Sequence, residues 1–322
     1  MQPSMKFENL SCSWVAIHPK PKGIIQFVGG AFYGTLPTIN YRYFLQTLFD
    51  SGYTIVALPF RFTIRHWDVA LQLLEEHYRV RQAIIEAIFH QPEKANYQSD
   101  VYLKSSNYYW VGHSLGCKYI ILLEILNDGL DQVKANMAEI GIEQSQYLAI
   151  QDGLERTSKI LKTIQQTIPQ WINQPVDFDQ HSIHNEASLL IAPVIADLNA
   201  AIPFRSLQKK KKKLGLTVFP TIEQTYNLIA KSDSFNLMEV IRFQDDTIAK
   251  ETCDYFYHTL KQTRMVEIQG KHLQPIGIQI SNYVADFNPL DKFVQPIQAR
   301  QLEIITLQKL KELQNPLVPV MI

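Results

Sequence analysis

The sequence predicts an α/β protein built on a mostly parallel, doubly wound sheet, with a helical cap inserted after its central strand. Three observations carry that prediction. Short apolar runs alternate with segments whose apolar residues recur at three and four positions, the rhythm of strands and helices in turn. One run, Tyr108-Tyr109-Trp110-Val111, passes through Gly112-His113-Ser114-Leu115-Gly116 straight into the helix-like Lys118 to Glu124. The alternation then stops between Asn127 and Ala187, where the pattern is helical only, and strands resume at Ser188.

Taken in order, residues 7–18 read as a strand and Pro19-Lys20-Pro21-Lys22-Gly23 as a turn. Gly23 to Val28 is a short buried strand that ends in Gly29-Gly30-Ala31-Phe32. A helix is expected from Asn40 to Phe49, stopped by Gly52, and a strand from Tyr53 to Leu58, ended by Pro59. From Trp67 to His90 the residues Ala70, Leu71, Leu74, Tyr78, Ile84, Ile85 and Ile88 form one face of a long helix. After the central strand and its helix, Leu154, Leu161, Ile164 and Ile168 mark another helical stripe. Ser188 to Ile195 reads as a strand. Thr221 with Gln224 three positions later is a capping box that opens a helix. Leu237 to Phe243 is a strand, Thr247 to Leu260 a helix, Met265 to Gln269 the last strand, and the pattern from Pro289 to about Gln314 is helical.

The chain divides accordingly. Residues 1–128 are the first part of the core, 129–187 a helical cap segment and 188–197 a core strand. Residues 198–236 are a second cap segment, 237–290 the second part of the core, and 291–322 a C-terminal helix and tail. The two cap segments are expected over the carboxyl edge of the sheet.

Composition narrows the class. Thirty-one basic and 31 acidic side chains cancel, so no global field draws the chain to nucleic acid. Three cysteines, at 12, 117 and 253, are too few and scattered for a disulfide framework or a zinc site, which favours a reducing compartment. There is no P-loop, no G-x-G-x-x-G and no H-x-x-x-H pair, so neither metal nor cofactor is expected. No apolar run approaches the ~20 residues of a membrane span, and residues 1–21 lack a signal-peptide core; a soluble, cytoplasmic protein is the expectation. The strongest charge run is Lys209, Lys210, Lys211, Lys212 and Lys213. It reads either as a solvated loop or as a peripheral contact with an anionic membrane, at about 1 kcal/mol per lysine. Oligomeric state is left open.

The chemistry centres on G-H-S-L-G. Between a strand and a helix this spacing makes a sharp elbow with Ser114 at its tip. Small residues two before and two after let strand and helix pass closely. A serine hydroxyl is a weak nucleophile until an imidazole takes its proton, and the imidazole needs a carboxylate to fix its tautomer. Ser114, Asp246 and His272 follow in that order on successive strand ends. Asp245 and Asp197 are alternative acids, and Asp246 has a rival reading as a helix cap. His113 reads as packing beside Ser114 rather than as the base, and Cys117 as a small buried hydrophobe. An oxyanion needs two backbone donors: Leu115 N–H is one, and the second falls in the glycine pair's loop, at Ala31, with Gly30 and Phe32 in reserve.

With I-I-Q-F-V-G-G-A-F, G-H-S-L-G, V-I-R-F-Q-D-D-T-I-A and V-E-I-Q-G-K-H in hand, the chain resembles the α/β-hydrolase superfamily over residues 7–128 and 188–290. More narrowly it is similar to a cyanobacterial and plastid branch catalogued as a domain of unknown function. The resemblance implies the hydrolase fold. It places Asp246-Thr247-Ile248 and Gly270-Lys271-His272 at the acid and histidine positions. Where many such hydrolases carry His-Gly after the oxyanion strand, this chain has Gly29-Gly30. The expectation is a serine hydrolase acting on an ester, thioester or lipid-like small molecule. The alternative is a non-catalytic binding or assembly factor on the same fold.

Overall fold

The computed structural model describes residues 3–172, 178, 182–195, 218–260, 263–285 and 294–314. Asp197 and Lys209 to Lys213 lie outside them, as does most of the expected second cap segment.

Among the described residues eight strands form the main sheet: β1 (Glu8–Leu10), β2 (Ser13–Ala16), β3 (Gly23–Val28), β4 (Tyr53–Ala57), β5 (Tyr108–His113), β6 (Ala187–Ile191), β7 (Met238–Phe243) and β8 (Arg264–Ile268). Their order across the sheet is β1-β2-β4-β3-β5-β6-β7-β8. The β1–β2 and β2–β4 pairs are antiparallel, and every pair from β4 onward is parallel. Parallel strands need helical crossovers on both faces, so β3, β4, β5 and β6 are buried at every residue.

The helices described are α1 (Pro37–Asn40), α2 (Arg42–Asp50), α3 (His66–His90), α4 (Leu115–Ile125), α5 (Leu130–Glu139), α6 (Gln144–Ile172), α7 (Ile222–Lys231), α8 (Lys250–Thr259) and α9 (Leu302–Gln314). Alternate strand residues face opposite cores. Ile25, Phe27, Tyr109, Val111 and Leu189 pack with Phe44, Leu45 and Leu48 of α2 and Leu302, Leu310 and Leu313 of α9. Ile24, Val56, Trp110, Leu190 and Val240 pack with α3, α4, α6 and α7. Helix α4 is buried at every position, including Lys118, whose ammonium donates to Pro220 O at 2.9 Å.

A polar network lies inside the α3 face. Glu186 Oε2 accepts from Gln26 Nε2 (3.0 Å) and Trp110 Nε1 (2.8 Å), and Glu186 Oε1 from Arg81 (2.7 Å). The Arg81 guanidinium sits over the rings of Tyr108 and Phe178, 3.8 and 3.9 Å from their centroids. His77, one turn before it, bonds Gln26 through Nδ1. A carboxylate buried this deeply survives because its charge is paired and its lone pairs are filled.

Several expectations change. The strand over residues 7–18 is a hairpin, turned at Ser11 (φ 58°) and Cys12. The helix expected from Thr247 begins at Lys250, because Asp246 turns the first N–H groups onto its own carboxylate. The helical reading from Pro289 fails over the described Val294–Pro296, which is a strand, and Ile297–Ala299 makes only a single 3-10 turn. A second, antiparallel sheet of β9 (Ile278–Ile280), β10 (Tyr283–Ala285) and β11 (Val294–Pro296) precedes α9. The inserted segment is helical as read, but α6 lies along α3. Gly153 packs on Leu71, Arg156 bonds Glu75 at 2.9 Å, and Trp171 meets His90 at the far end. Only its first turns reach the carboxyl edge. The capping box at Thr221 and Gln224 forms with both of its hydrogen bonds.

Candidate active site

Strand β5 delivers Ser114 to the carboxyl edge, and α4 leaves from it. Ser114 has φ 55° and ψ −121°, a conformation that L residues rarely adopt and one held here by its surroundings. Its N–H donates to Ile191 O (3.1 Å), and its carbonyl accepts from Val194 N–H (3.2 Å), so the end of β6 and the residues just after it grip the turn from both sides. The glycines have the steric role that the sequence assigned them. A Cβ on Gly116 would lie 2.2 Å from Val28 O and 2.5 Å from Gly29 O, and one on Gly112 would press on Cys117 and Ile120. Ser114 makes no side-chain cap to α4, which leaves its hydroxyl to other partners.

Those partners come from two distant loops. His272 Nε2 is 2.8 Å from Ser114 Oγ, and His272 Nδ1 is 2.8 Å from Asp246 Oδ2. The other oxygen, Asp246 Oδ1, accepts from the N–H groups of Ile248 (2.8 Å) and Ala249 (3.0 Å). Burial by itself raises a carboxyl. The hydrogen bond and charge of His272, with the two N–H donors, outweigh it and hold Asp246 below its ordinary value. A carboxylate accepts only, so Nδ1 carries the imidazole proton and Nε2 faces the serine as acceptor. Asp246 is 6% exposed and His272 8%, which keeps water from competing for the pair. Asp245 is exposed, and its N–H donates to Gly270 O (3.1 Å) as part of the turn that presents His272.

The loop after β3 lies against the elbow: a Cβ on Gly30 would come within 3.1 Å of Ser114 Cβ. The Gly30 N–H is already committed to Tyr41 Oη at 2.7 Å, which removes Gly30 as an oxyanion donor. Tyr33 and Gly34 N–H groups turn back on Ala31 O and Gly30 O, tightening the loop, with Phe32 at φ 63°. Among the described residues the N–H groups of Ala31 and Phe32 have no acceptor. Leu115, as the first residue of α4, offers one of the free N–H groups of a helix N-terminus.

His113, expected to pack beside Ser114, is 1% exposed. It is also hydrogen-bonded at both nitrogens, to Tyr41 Oη (2.9 Å) and to the backbone carbonyl of His272 (2.8 Å). The sequence carries no sign of this contact at Tyr41, because a tyrosine at a helix start gives no motif. Cys117 is buried and its thiol is pushed well up by burial, as expected of a small hydrophobe. Among the described residues no cluster of three or more His, Cys, Asp and Glu side chains could hold a metal ion, and no helix is long and apolar enough to cross a membrane.

The strand order, parallel from β4 onward with an elbow after β5, defines an α/β-hydrolase fold. Within that class the chain belongs to the family described as protein of unknown function (DUF1350), whose model matches residues 6–174. No curated protein matches the chain. Among solved structures it is similar to a protein from Lactobacillus plantarum provisionally assigned as a carboxylesterase (12% identity, TM-score 0.48, covering 96% of this chain and 97% of that one). It is also similar to TT1662 from Thermus thermophilus (12% identity, TM-score 0.42, covering 98% and 99%). A third is the Francisella virulence factor BioJ (13% identity, TM-score 0.43, covering 98% and 86%). At such identities the likeness is one of general architecture, and the fold assignment rests on the chain's own strand order.

Proposed function

We propose that this protein is a serine hydrolase that cleaves a carboxylic ester or thioester through an acyl-enzyme. The observation that carries the reading is the continuous line from Asp246 Oδ2 through His272 to Ser114 Oγ, with both links at 2.8 Å. In this reading Ser114 Oγ attacks the substrate carbonyl as its proton passes to His272 Nε2. Asp246 holds the imidazole in the required tautomer and stabilises its cation. The N–H groups of Leu115 and Ala31 receive the oxyanion, a donor pair whose single loss costs on the order of 10²–10³ in rate. Collapse expels the alcohol or thiol, which takes the proton back from Nε2. Water, activated by the same histidine, then frees the acid. Phe32, half exposed and stacked on Phe62 with ring centroids 5.4 Å apart, and the exposed Ile248, two residues after Asp246, supply apolar surface on the loops that carry Gly30 and Asp246. They favour an apolar acyl or lipid-like group over a small polar one.

Turnover of p-nitrophenyl butyrate tests the proposal. Wild type is expected to hydrolyse it, and Ser114→Ala and His272→Ala each to lose at least about 10³ in kcat while staying folded. The double variant is expected to be no worse than either, because residues acting as a unit are not additive. Equal turnover by Ser114→Ala and wild type would sink the reading.

A further inference from the structure

Tyr41 is fully buried and His113 nearly so, yet both are polar and neither belongs to the line of Ser114, His272 and Asp246. Buried polar atoms are costly unless satisfied, on the order of 1–3 kcal/mol each. Here they are satisfied in one chain of bonds. The Gly30 N–H donates to Tyr41 Oη (2.7 Å), so the tyrosine O–H is free to donate to His113 Nδ1 (2.9 Å). His113 Nε2 faces the carbonyl oxygen of His272 (2.8 Å), which can only accept, so that nitrogen carries the proton. Every donor has an acceptor with one tautomer, and the ring is neutral.

The ends of the chain matter more than its middle. One end is the backbone of Gly30, immediately before Ala31; the other is the backbone of His272 itself. The brace passes directly beside the nucleophile. A Cβ on Gly30 would lie 3.1 Å from Ser114 Cβ and 3.3 Å from His113 Nδ1, and the His113 and His272 rings are 5.2 Å apart. Resting on the hydrolase reading above, we infer that Tyr41 and His113 are positioning residues that join the oxyanion loop to the backbone of the base. The pair fixes the distance between the two groups that must act together on a substrate bound at Ser114.

Several features fit that role and not mere filling. Burial, with the nearby His272, lowers the His113 pKa to about 3, so the ring keeps its single tautomer across the working range of a hydrolase. The Gly30 N–H is withdrawn from the oxyanion site by Tyr41, which leaves the donor role to the next residues along the loop. A displacement of about 1 Å at either end is enough to cost on the order of 10² in rate.

The test uses p-nitrophenyl butyrate with Tyr41→Phe, His113→Leu, His113→Gln and the double variant Tyr41→Phe/His113→Leu. Tyr41→Phe is expected to lower kcat by about 10- to 100-fold with KM within about threefold, because binding surface is kept and alignment is lost. His113→Leu is expected to lose at least as much. His113→Gln, whose amide reaches the Nε2 position, should recover part of the loss. The double variant should match His113→Leu within about threefold, since both changes break one brace. The inference is overturned if Tyr41→Phe and His113→Leu, both folded, keep kcat within about threefold of wild type, or if their losses multiply. If His113→Leu does not fold, Tyr41→Phe and His113→Gln decide by the same criteria. A wild type whose turnover is unchanged in Ser114→Ala overturns the hydrolase reading itself, an outcome separate from loss of the brace alone.

Discussion

The two oxygens of Asp246 face different partners: Oδ1 takes the N–H groups of Ile248 and Ala249, and Oδ2 takes His272. The sequence offered helix cap and acid as rival readings, and the geometry gives the residue both contacts. Asp246→Asn should therefore lower kcat by about 10³–10⁴ through the wrong imidazole tautomer, while exposed Asp245→Asn should stay within about twofold. Because the folded value of Asp246 is depressed, its contribution to stability is present above the unfolded carboxyl range and is lost as pH falls through the folded value. Wild type should thus lose more melting temperature than Asp246→Asn as pH drops from neutral into the acid range. The G-x-S-x-G spacing was fully legible, since its glycines answer to hard contacts. Gly116→Ala, with its Cβ 2.2 Å from Val28 O, should unfold the protein or displace the loop after β3. The fate of Gly30 was not legible, because nothing local says that a residue eleven positions away will take its N–H.

Helix α3 illustrates what periodicity can and cannot show. Its apolar stripe was plain, with Leu74, Tyr78 and Ile85 at helical spacing. Set into the same buried face are His77 and Arg81, four residues apart, whose partners Gln26 and Glu186 come from two other segments, and Glu186 in turn accepts from Trp110 of a third. A histidine and an arginine one turn apart inside an apolar stripe are the signal that the sequence carries of the network. Glu186→Ala should cost about 3–5 kcal/mol in denaturant unfolding, because Arg81 would be left buried and uncompensated. Thr221→Ala, which removes one half of a formed capping box, should cost about 1 kcal/mol by the same measurement. The strands of β9 to β11 are not legible in the sequence for a different reason. Each has three residues, too few for a period of two to stand out.

At the scale of the whole molecule, the alternation of strand and helix sufficed to predict the sheet, and the positions of Ser114, Asp246 and His272 followed from strand ends. The course of α6 along α3 did not follow. An amphipathic helix states that it has a buried face and not which neighbour covers it. Global stability carries its own pH signature. Glu124 of α4, bonded by Ser188 and Asn127, is pushed up to about 8 by burial, with the charge of Glu186 adding to the rise. Its folded value lies above the unfolded one, so its contribution is complete below about 4.5 and is lost as pH rises through about 8. Wild type should accordingly lose melting temperature relative to Glu124→Gln between pH 5 and 8, in scans at about half-unit steps. The central claim, that the elbow serine is an activated nucleophile, meets its most direct test in a fluorophosphonate reaction followed by peptide mass spectrometry. The account predicts one adduct, on the peptide carrying Ser114, formed in wild type, slowed in Asp246→Asn and absent in folded Ser114→Ala. A folded wild type that stays unmodified, or an adduct that persists in Ser114→Ala, would contradict it.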